Sequence, residues 1–579
     1  METVQIKING IDYEVPQNST ILEAARYAGI HIPTLCYLKD INEIGACRIC
    51  VVEVKGARSL VASCVYPVSA GMEIQTNTEL VQSSRKTTLQ LLLASHDRRC
   101  LSCARSGSCE LQSLCNELGV SEENTFDGAK LKHGLDNSTL HMVRDNNKCI
   151  LCRRCVGACE NQYVSVIGSN DRGFDTHIGC AFEQSLEKVP CVSCGQCIVS
   201  CPTGALMDND HCDDVMSAIS NPDKYVIVHT APAVRATLGE CFGMPPGTNV
   251  KGKMVNALRK LGFDKVFDTD FGADLTIMEE AAELIHRITN GGTLPMITSC
   301  SPGWIKFCEY YFPNFLPNIS SCKSPQQMMG AILKTWYASK MNIDPNRIVV
   351  VSVMPCTAKK FEIKRDHQCA AGVADTDYVL TTREVAKLIK RAGIDFVSLN
   401  DENFDSILGV STGAAAIFGA TGGVMEAALR TASDMLSETS QKEIEYKEVR
   451  GIENIKEATY EISGLTLNVA VVSGLKNSAA LLERVKRKEV NYHFIEIMCC
   501  PGGCVNGGGQ PLQPARVRNY ENLSEIRAKT LYAEDKSLPL RKSHENPSIK
   551  LIYDEYFKTP GSEISHKILH TKYKIRDKF

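Results

Sequence analysis

The chain has 579 residues, 27 of them cysteines, and a formal net charge of −3. It is too long for a single domain and too nearly neutral for a nucleic-acid binder. No apolar run is long enough to span a bilayer, and the N-terminal METVQIKINGIDYEV alternates like a strand, so neither a membrane anchor nor a secretory leader is expected. In the reducing cytoplasm this implies, so many cysteines read as metal ligands, not disulfides.

Residues 1–80 read as short strands with one helix near 21–28. They carry Cys36-x10-Cys47-x2-Cys50-x13-Cys64. The small residues of the 45–50 loop let backbone N–H groups approach cluster sulfurs. The spacing is a variant of the plant-type [2Fe–2S] pattern, which has four residues before the CxxC pair. The plainer alternative is four buried thiols in a β-grasp fold.

Residues 81–120 hold a predicted helix at 90–96, then His96-x3-Cys100-x2-Cys103-x5-Cys109. An imidazole in place of one thiolate removes negative charge and shifts the potential of a [4Fe–4S] cluster. A structural zinc site is the rival. Cys115, just beyond, reads as a packing cysteine.

The polar stretch 121–140 reads as a connecting loop. Residues 140–213 then repeat one spacing, Cys149-x2-Cys152-x2-Cys155-x3-Cys159 and Cys191-x2-Cys194-x2-Cys197-x3-Cys201, the second followed by Pro202. Each run offers three thiolates to one cube and a fourth to its neighbour, the ligand logic of a two-[4Fe–4S] ferredoxin. The stretch 168–179 between them reads as a surface turn region. Four clusters along the chain make an electron wire.

From Tyr225 the texture changes. Residues 225–230, 348–353 and 468–473 read as buried strands, with longer helical patterns such as 278–287 between them. That alternation predicts an α/β domain with largely parallel sheets, its chemistry in the loops beyond the strand ends. The tail, 524–579, is charged and helical in places, and is expected to extend this domain and wrap another.

Three of those loops carry thiols: Thr298-Ser-Cys300-Ser301-Pro-Gly-Trp304, Met354-Pro-Cys356-Thr-Ala-Lys359-Lys-Phe-Glu362, and Glu496-Ile-Met498-Cys499-Cys500-Pro-Gly-Gly-Cys504-Val-Asn-Gly-Gly-Gly-Gln510-Pro511. Dispersed thiolates of this kind can assemble one further cube, and the glycine run lets backbone approach a bulky inorganic group.

With these loops the sequence resembles the [FeFe]-hydrogenases, specifically the large monomeric clostridial type with four accessory clusters. The resemblance covers essentially the whole chain and the order of its cluster modules. It implies a multidomain α+β and α/β architecture: a β-grasp [2Fe–2S] ferredoxin-like domain (1–80), a His/Cys3 cluster domain (81–120), a two-[4Fe–4S] ferredoxin-like domain (140–213), an α/β H-cluster domain (220–523) and its C-terminal extension (524–579). The implied cofactors are one [2Fe–2S] cluster, three accessory [4Fe–4S] clusters and the H-cluster, a [4Fe–4S] cube joined to a diiron unit with CO, cyanide and an azadithiolate. By position Cys356, Cys500 and Cys504 hold the cube, and Cys504 bridges to the diiron unit. Lys359 donates to a cyanide. Ala231, Pro232, Gln326, Met354, Phe418 and Met498 line the diiron pocket.

The family has two adjacent cysteines in the first loop, a proton relay and then a cube ligand. This chain has Cys300 and Ser301. Strict register leaves Cys300 as the relay and puts Ser301 at the ligand position. A shifted loop makes Cys300 the ligand and slows proton delivery, because a hydroxyl is a weaker acid than a thiol. Cys499, beside Cys500, is an alternative ligand or donor, or an ordinary buried thiol. Glu280 and Glu283, three apart on the 278–287 helix, share a face and match, with Ser320 and Arg287, the family's proton relay.

The expected activity is reversible, 2 H⁺ plus two reduced ferredoxins giving H2, mainly in the direction of proton reduction. A sensory or low-turnover hydrogenase is the alternative that Ser301 favours. An electron-transfer subunit like the NADH dehydrogenase large subunit matches residues 1–212 alone, and the hydrogenase-like iron–sulfur assembly factors lack the accessory chain. Expected partners are a soluble ferredoxin or flavodoxin and the maturation proteins that build the diiron unit. The chain is expected to be a monomer. No GxGxxG stands in a strand–helix setting, so direct NAD use is not expected.

Overall fold

A computed structural model describes residues 2–121, 126–437, 445–451 and 453–578. At the N-terminus, Thr3–Ile8 and Ile11–Pro16 form a hairpin through Asn9 and Gly10. Both turn residues have positive φ, as the tight turn of a right-twisted hairpin requires. Thr3–Ile8 also pairs in parallel with Glu73–Gln75, within a five-stranded sheet. The expected helix spans Ile21–Tyr27, started by a capping box in which Thr20 and Glu23 satisfy each other's backbone N–H.

The helix expected at 90–96 is longer, Glu79–Ser95. Its buried positions are Val81, Arg85, Leu89 and Leu93, a four-residue stripe with a cation in it. Arg85 is buried because its guanidinium donates to the Val51 carbonyl at 2.8 Å. Polar residues around that stripe hid the helix's first half from a hydrophobic reading.

The repeated cysteine runs produce a repeated backbone. Leu151 and Arg153 in the first run, and Ser193 and Gly195 in the second, all have positive φ. These are the second and fourth residues after each opening cysteine, and short helices follow at Arg154–Asn161 and Gln196–Ser200. The turn region between the runs is a small hairpin, Gly168–Asn170 with His177–Gly179. Residues 122–125 of the expected connecting loop lie outside the described residues; its later part includes a strand, Leu135–Asp136.

The C-terminal part contains two four-stranded sheets. The first is all parallel, in the order Lys265–Asp268, Tyr225–Thr230, Ile348–Met354, Tyr378–Thr381. Every residue of Ile348–Met354 is buried, as expected of a central parallel strand covered on both faces. In the second, Met296–Ile297, Phe494–Met498 and Leu465–Ser473 are parallel, and Ile455–Ile462 is antiparallel at the edge. The helix expected at 278–287 runs over Asp270–Thr289.

The buried ion pairs of the tail, among the described residues, go to the α/β part. Arg527 pairs with Glu240 at 2.6 Å, Glu534 with Arg235 at 2.9 Å, Asp535 with Arg430 at 2.9 Å and His570 with Glu279 at 3.2 Å. These charges are buried and must be matched locally. Their partners, far away in sequence, therefore decide where the tail lies. Among the described residues no helix is long and apolar enough to cross a membrane.

Candidate metal centre and its electron and proton paths

The strand ends of both sheets open on one cavity of ≈ 80 Å³. The loop after Tyr225–Thr230 brings Ala231 and Pro232 to it, and Ile348–Met354 and its loop bring Met354, Cys356 and Lys359. From the second sheet come Cys300 and Ser301, and then Met498, Cys499, Cys500 and Cys504; Gln326 and Phe418 complete the lining. Placement beyond the carboxyl ends of parallel strands follows from the α/β architecture.

The cavity suits an iron–sulfur group with anionic ligands. Cys356, Cys500 and Cys504 are close enough to interact electrostatically. No carboxylate lines the cavity among the described residues, whereas the Lys359 ammonium does. Backbone closes around the site where only glycine fits: at Gly503, with φ +96°, a Cβ would stand 2.7 Å from the Thr421 nitrogen, and at Gly507 one would overlap the Pro355 carbonyl.

Cys300 and Ser301 diverge. Cys300 packs with Phe418, Met498 and Cys504 on the side facing Glu280, and burial pushes its thiol well up. Ser301 turns the other way, its Oγ accepting the Cys499 N–H at 3.2 Å. Cys499 packs with Val192, Trp304 and Ile497 beside Cys194. Lys359 is held by Glu362 at 2.9 Å, Ser324 at 2.8 Å and the Cys300 carbonyl at 3.2 Å.

A carboxylate chain leads outward. Glu280 accepts from the Ser299 N–H at 3.4 Å and the Ser299 hydroxyl at 3.2 Å. Its second oxygen is buried without a hydrogen-bond partner, and burial pushes its pKa up to about 7. Ser320 donates to Glu283 at 3.2 Å, and Arg287 closes the chain on Glu283 at 2.5 Å while also capping four carbonyls, including Ile319 at 3.0 Å.

The accessory thiols group as follows. Cys36 lies against Cys47, whose N–H donates to the Cys36 sulfur at 3.4 Å, and Cys50 lies against Cys64; all four are buried. Cys149, Cys152 and Cys155 interact with Cys201, whereas Cys159 interacts with Cys191 and Cys194. This is the crossed arrangement in which each run lends its fourth sulfur to the other. His96 is buried with Nδ1 unpartnered, and burial lowers its pKa, leaving a neutral ring with an open nitrogen suited to iron. Cys115 is half-buried and packs against the apolar cluster formed by Leu111 and Leu114.

These groups do not follow one another in a single file. Asn42 donates to the carbonyls of both Cys36 (2.9 Å) and Cys152 (3.0 Å), tying the first cysteine group to the Cys149–Cys201 group. The segment of Cys103 and Cys109 reaches the same place: a Cβ on Gly204 would stand 2.7 Å from the Cys103 sulfur, and Glu110 N–H donates to Pro202 at 3.0 Å. Two branches therefore meet, and Cys194 of the second run packs in one apolar cluster with Cys499, which lines the cavity.

Several groups escaped the sequence reading. Glu362 accepts from Lys359, Ser324 and Gln326, each at 2.9 Å. Glu496 caps the helix Gly423–Leu436, accepting from Gly422 and Met425 N–H groups at 2.7 Å. Its signal was present as a lone carboxylate inside the fully buried strand Phe494–Met498. Glu279, bonded to Tyr553 at 2.5 Å and to His570 at 3.2 Å, had none, because both partners come from the tail.

The chain is similar to known proteins over nearly its whole length. Residues 224–508 match the C-terminal domain of the iron-only hydrogenase large subunit, 1–79 a 2Fe-2S iron-sulfur cluster binding domain, 85–124 the NADH-ubiquinone oxidoreductase-G iron-sulfur binding region, and 521–576 the iron hydrogenase small subunit. The chain is 48% identical to the NADP-reducing hydrogenase subunit HndD of Solidesulfovibrio fructosivorans over 99% of both chains. It is 44% identical to iron hydrogenase 1 of Clostridium pasteurianum, over 98% of this chain and 99% of that one. An [FeFe]-hydrogenase HydA1 structure from Chlamydomonas reinhardtii superposes with a TM-score of 0.56 at 39% identity, covering 63% of this chain and 99% of that one.

Proposed function

The chain belongs to the [FeFe]-hydrogenases, with [2Fe–2S], [4Fe–4S] and H-cluster domains, and on that premise we propose that it interconverts protons and H2 reversibly, mainly as a proton reducer drawing electrons from a soluble ferredoxin or flavodoxin. The observation that carries this reading is one cavity with Cys356, Cys500 and Cys504 in its wall, a carboxylate chain on one side and Cys194 on the other.

In this reading the accessory clusters number four: a [2Fe–2S] cluster on Cys36, Cys47, Cys50 and Cys64, and [4Fe–4S] clusters on His96, Cys100, Cys103 and Cys109, on Cys149, Cys152, Cys155 and Cys201, and on Cys191, Cys194, Cys197 and Cys159. Cys356, Cys500 and Cys504 would hold the catalytic cube, and Ser301, which lines the same cavity, is the residue in register with the family's fourth ligand. The H-cluster, when bound, supplies the two-electron chemistry of H2. Lys359, oriented by Glu362, presents positive charge to its anionic ligands.

Cys300 carries a proton between the cavity and Glu280. Glu280 suits this task because a group poised near neutrality both accepts and donates. Ser320 passes the proton to Glu283, and Arg287 holds Glu283 at the outer end of the route. The apolar lining of Ala231, Pro232, Met354, Phe418 and Met498 keeps bulk water out, so protons take the carboxylate route.

A second reading concerns the electron partner. Similarity over 99% of an NADP-reducing hydrogenase subunit supports exchange of electrons with a partner subunit that handles the nicotinamide, the chain itself serving as the hydrogen-converting subunit.

Protein matured with the diiron cofactor should show infrared bands of CO and cyanide and evolve H2 from dithionite-reduced methyl viologen. Bands with negligible turnover would favour a sensory role instead. No bands would reject the H-cluster assignment. Reduction by ferredoxin without any added subunit separates the two electron partners.

A further inference from the structure

The tail brings an imidazole to the outer end of the carboxylate chain, where a thiol already stands. Glu283, Cys322 and His570 each offer one ligand atom, and these atoms all lie within 4.8 Å of one another. Neither Cys322 nor His570 has a part in the proton route. Backbone fixes the two side by side. Lys323 N–H donates to the Leu569 carbonyl at 2.7 Å and Thr571 N–H to the Ser321 carbonyl at 2.8 Å, closing a short antiparallel bridge between Cys322 and His570.

The imidazole is oriented as a metal ligand usually is, with a carboxylate on its far nitrogen. Nε2 meets Glu279 at 3.2 Å, and Glu279 is fixed in turn by the Tyr553 hydroxyl at 2.5 Å and the Gly561 N–H at 2.9 Å. A carboxylate accepts, so Nε2 carries the hydrogen and the neutral ring keeps its lone pair on Nδ1. Nδ1 lies 2.8 Å from Ser321 Oγ, and the same hydroxyl lies 3.1 Å from Glu283 Oε2. One hydroxyl hydrogen thus serves two acceptors, and the Cys322 sulfur stands 3.8 Å from the second of them. A cation among Nδ1, Oε2 and the sulfur satisfies all three. Glu283, Glu280 and Glu279 lie close enough to the sulfur to repel a thiolate, so a thiolate forms there only with a cation beside it.

Thiolate, imidazole and carboxylate together are a donor set for zinc, with water as the fourth ligand. The site is reached from solvent. The exposed His566 stacks on His570 with ring centroids 4.1 Å apart, and the Glu283 side chain is 15% exposed.

We propose that Glu283, Cys322 and His570 form a zinc-binding site whose occupation stops proton transfer. The ion takes Glu283 Oε2, the oxygen that accepts from Ser320, while Oε1 stays with Arg287. The Cys322 thiol gives its proton to solvent as the sulfur–zinc bond forms, and nothing is oxidised or reduced. The block, though not the zinc site, rests on Glu283 lying in the proton route proposed above.

The matured holoenzyme is titrated with zinc chloride beside Cys322→Ala and His570→Gln. Zinc should remain after dialysis, with sulfur in its coordination shell by X-ray absorption, and H2 evolution from reduced methyl viologen should fall about 10²-fold, as when a positioned acid–base group is lost. A chelator should restore it. Cys322→Ala should keep its iron and its zinc-free rate, bind less zinc and escape inhibition; His570→Gln should also bind less. Zinc without a sulfur ligand, equal binding and inhibition in Cys322→Ala, or inhibition accompanied by loss of cluster iron each overturn the proposal. Zinc held by Cys322 with unchanged turnover overturns the block. Glu283→Gln without zinc then locates the failure: normal turnover in that variant overturns the proton route itself, whereas slow turnover leaves the route standing and the block refuted.

Discussion

The hydroxyl of Ser301 accepts the backbone N–H of Cys499 at 3.2 Å, so the residue at the expected fourth corner of the cube is oriented by the loop that supplies Cys500. A thiolate at the same position would accept the same N–H and bind iron more strongly than a hydroxyl, which resists deprotonation. Ser301→Cys is therefore expected to raise catalytic-cube occupancy and H2 evolution several-fold. Iron per chain and the methyl viologen assay check this; an unchanged rate would show that the serine is compensated.

Glu283 joins Ser320 to Arg287. Glu283→Gln keeps the shape but removes the carboxylate that takes and releases the proton. Turnover should fall about 10²-fold, the lower end of what positioned acid–base groups contribute. The infrared bands should remain. Activity equal to the unaltered protein would remove Glu283 from the route.

Burial holds Glu280 at about 7, above the ordinary 4.5. The folded state therefore binds its proton more tightly than the unfolded chain does. The resulting stability is fully present below the unfolded value near 4.5 and is lost as pH rises through about 7. Glu280→Gln should flatten the decline of the unfolding midpoint between pH 5 and 8, and should also depress H2 evolution (~10²-fold). A midpoint profile identical to that of the parent would contradict the burial argument.

Arg235 is fully buried against Asp268 at 2.6 Å, Asp270 at 3.2 Å and Glu534 of the tail at 2.9 Å. Removing one member of such a network strands the others without compensation, at a cost of about 3–5 kcal/mol. Arg235→Met should lower the denaturation midpoint and release the tail to protease cleavage before residue 523. Retained protection of the tail would mean that the Arg430–Asp535, Arg527–Glu240 and His570–Glu279 pairs hold it without Arg235.

On the proposed reading His96 is a neutral ligand alongside Cys100, Cys103 and Cys109, its ring buried with Nδ1 unpartnered. His96→Cys adds a negative charge, so the [4Fe–4S] cluster should persist at a lower potential. EPR titration reads that shift. Elemental analysis showing zinc and no change in iron would instead establish the structural-zinc alternative.

What the sequence determined by itself is local. The repeated cysteine spacings are legible because three of the four thiols in each run come from one turn, and the left-handed residues at matching positions after Cys149 and Cys191 show the two runs turning alike. The strands at 225–230 and 348–353 are legible because both faces are buried and the run is unbroken. Family membership follows from three short loops. The tertiary structure decided whatever depends on long-range partners. It sent the tail back onto Arg235, Arg430 and Glu279, and it joined two cysteine groups to a third through Asn42 and Gly204, making a fork where sequence order implied a file. It also set Cys300 towards Glu280 and Cys499 towards Cys194. The physical reason is the same each time: a buried charge or sulfur is placed by what it meets in space, and spacing along the chain carries no record of that partner.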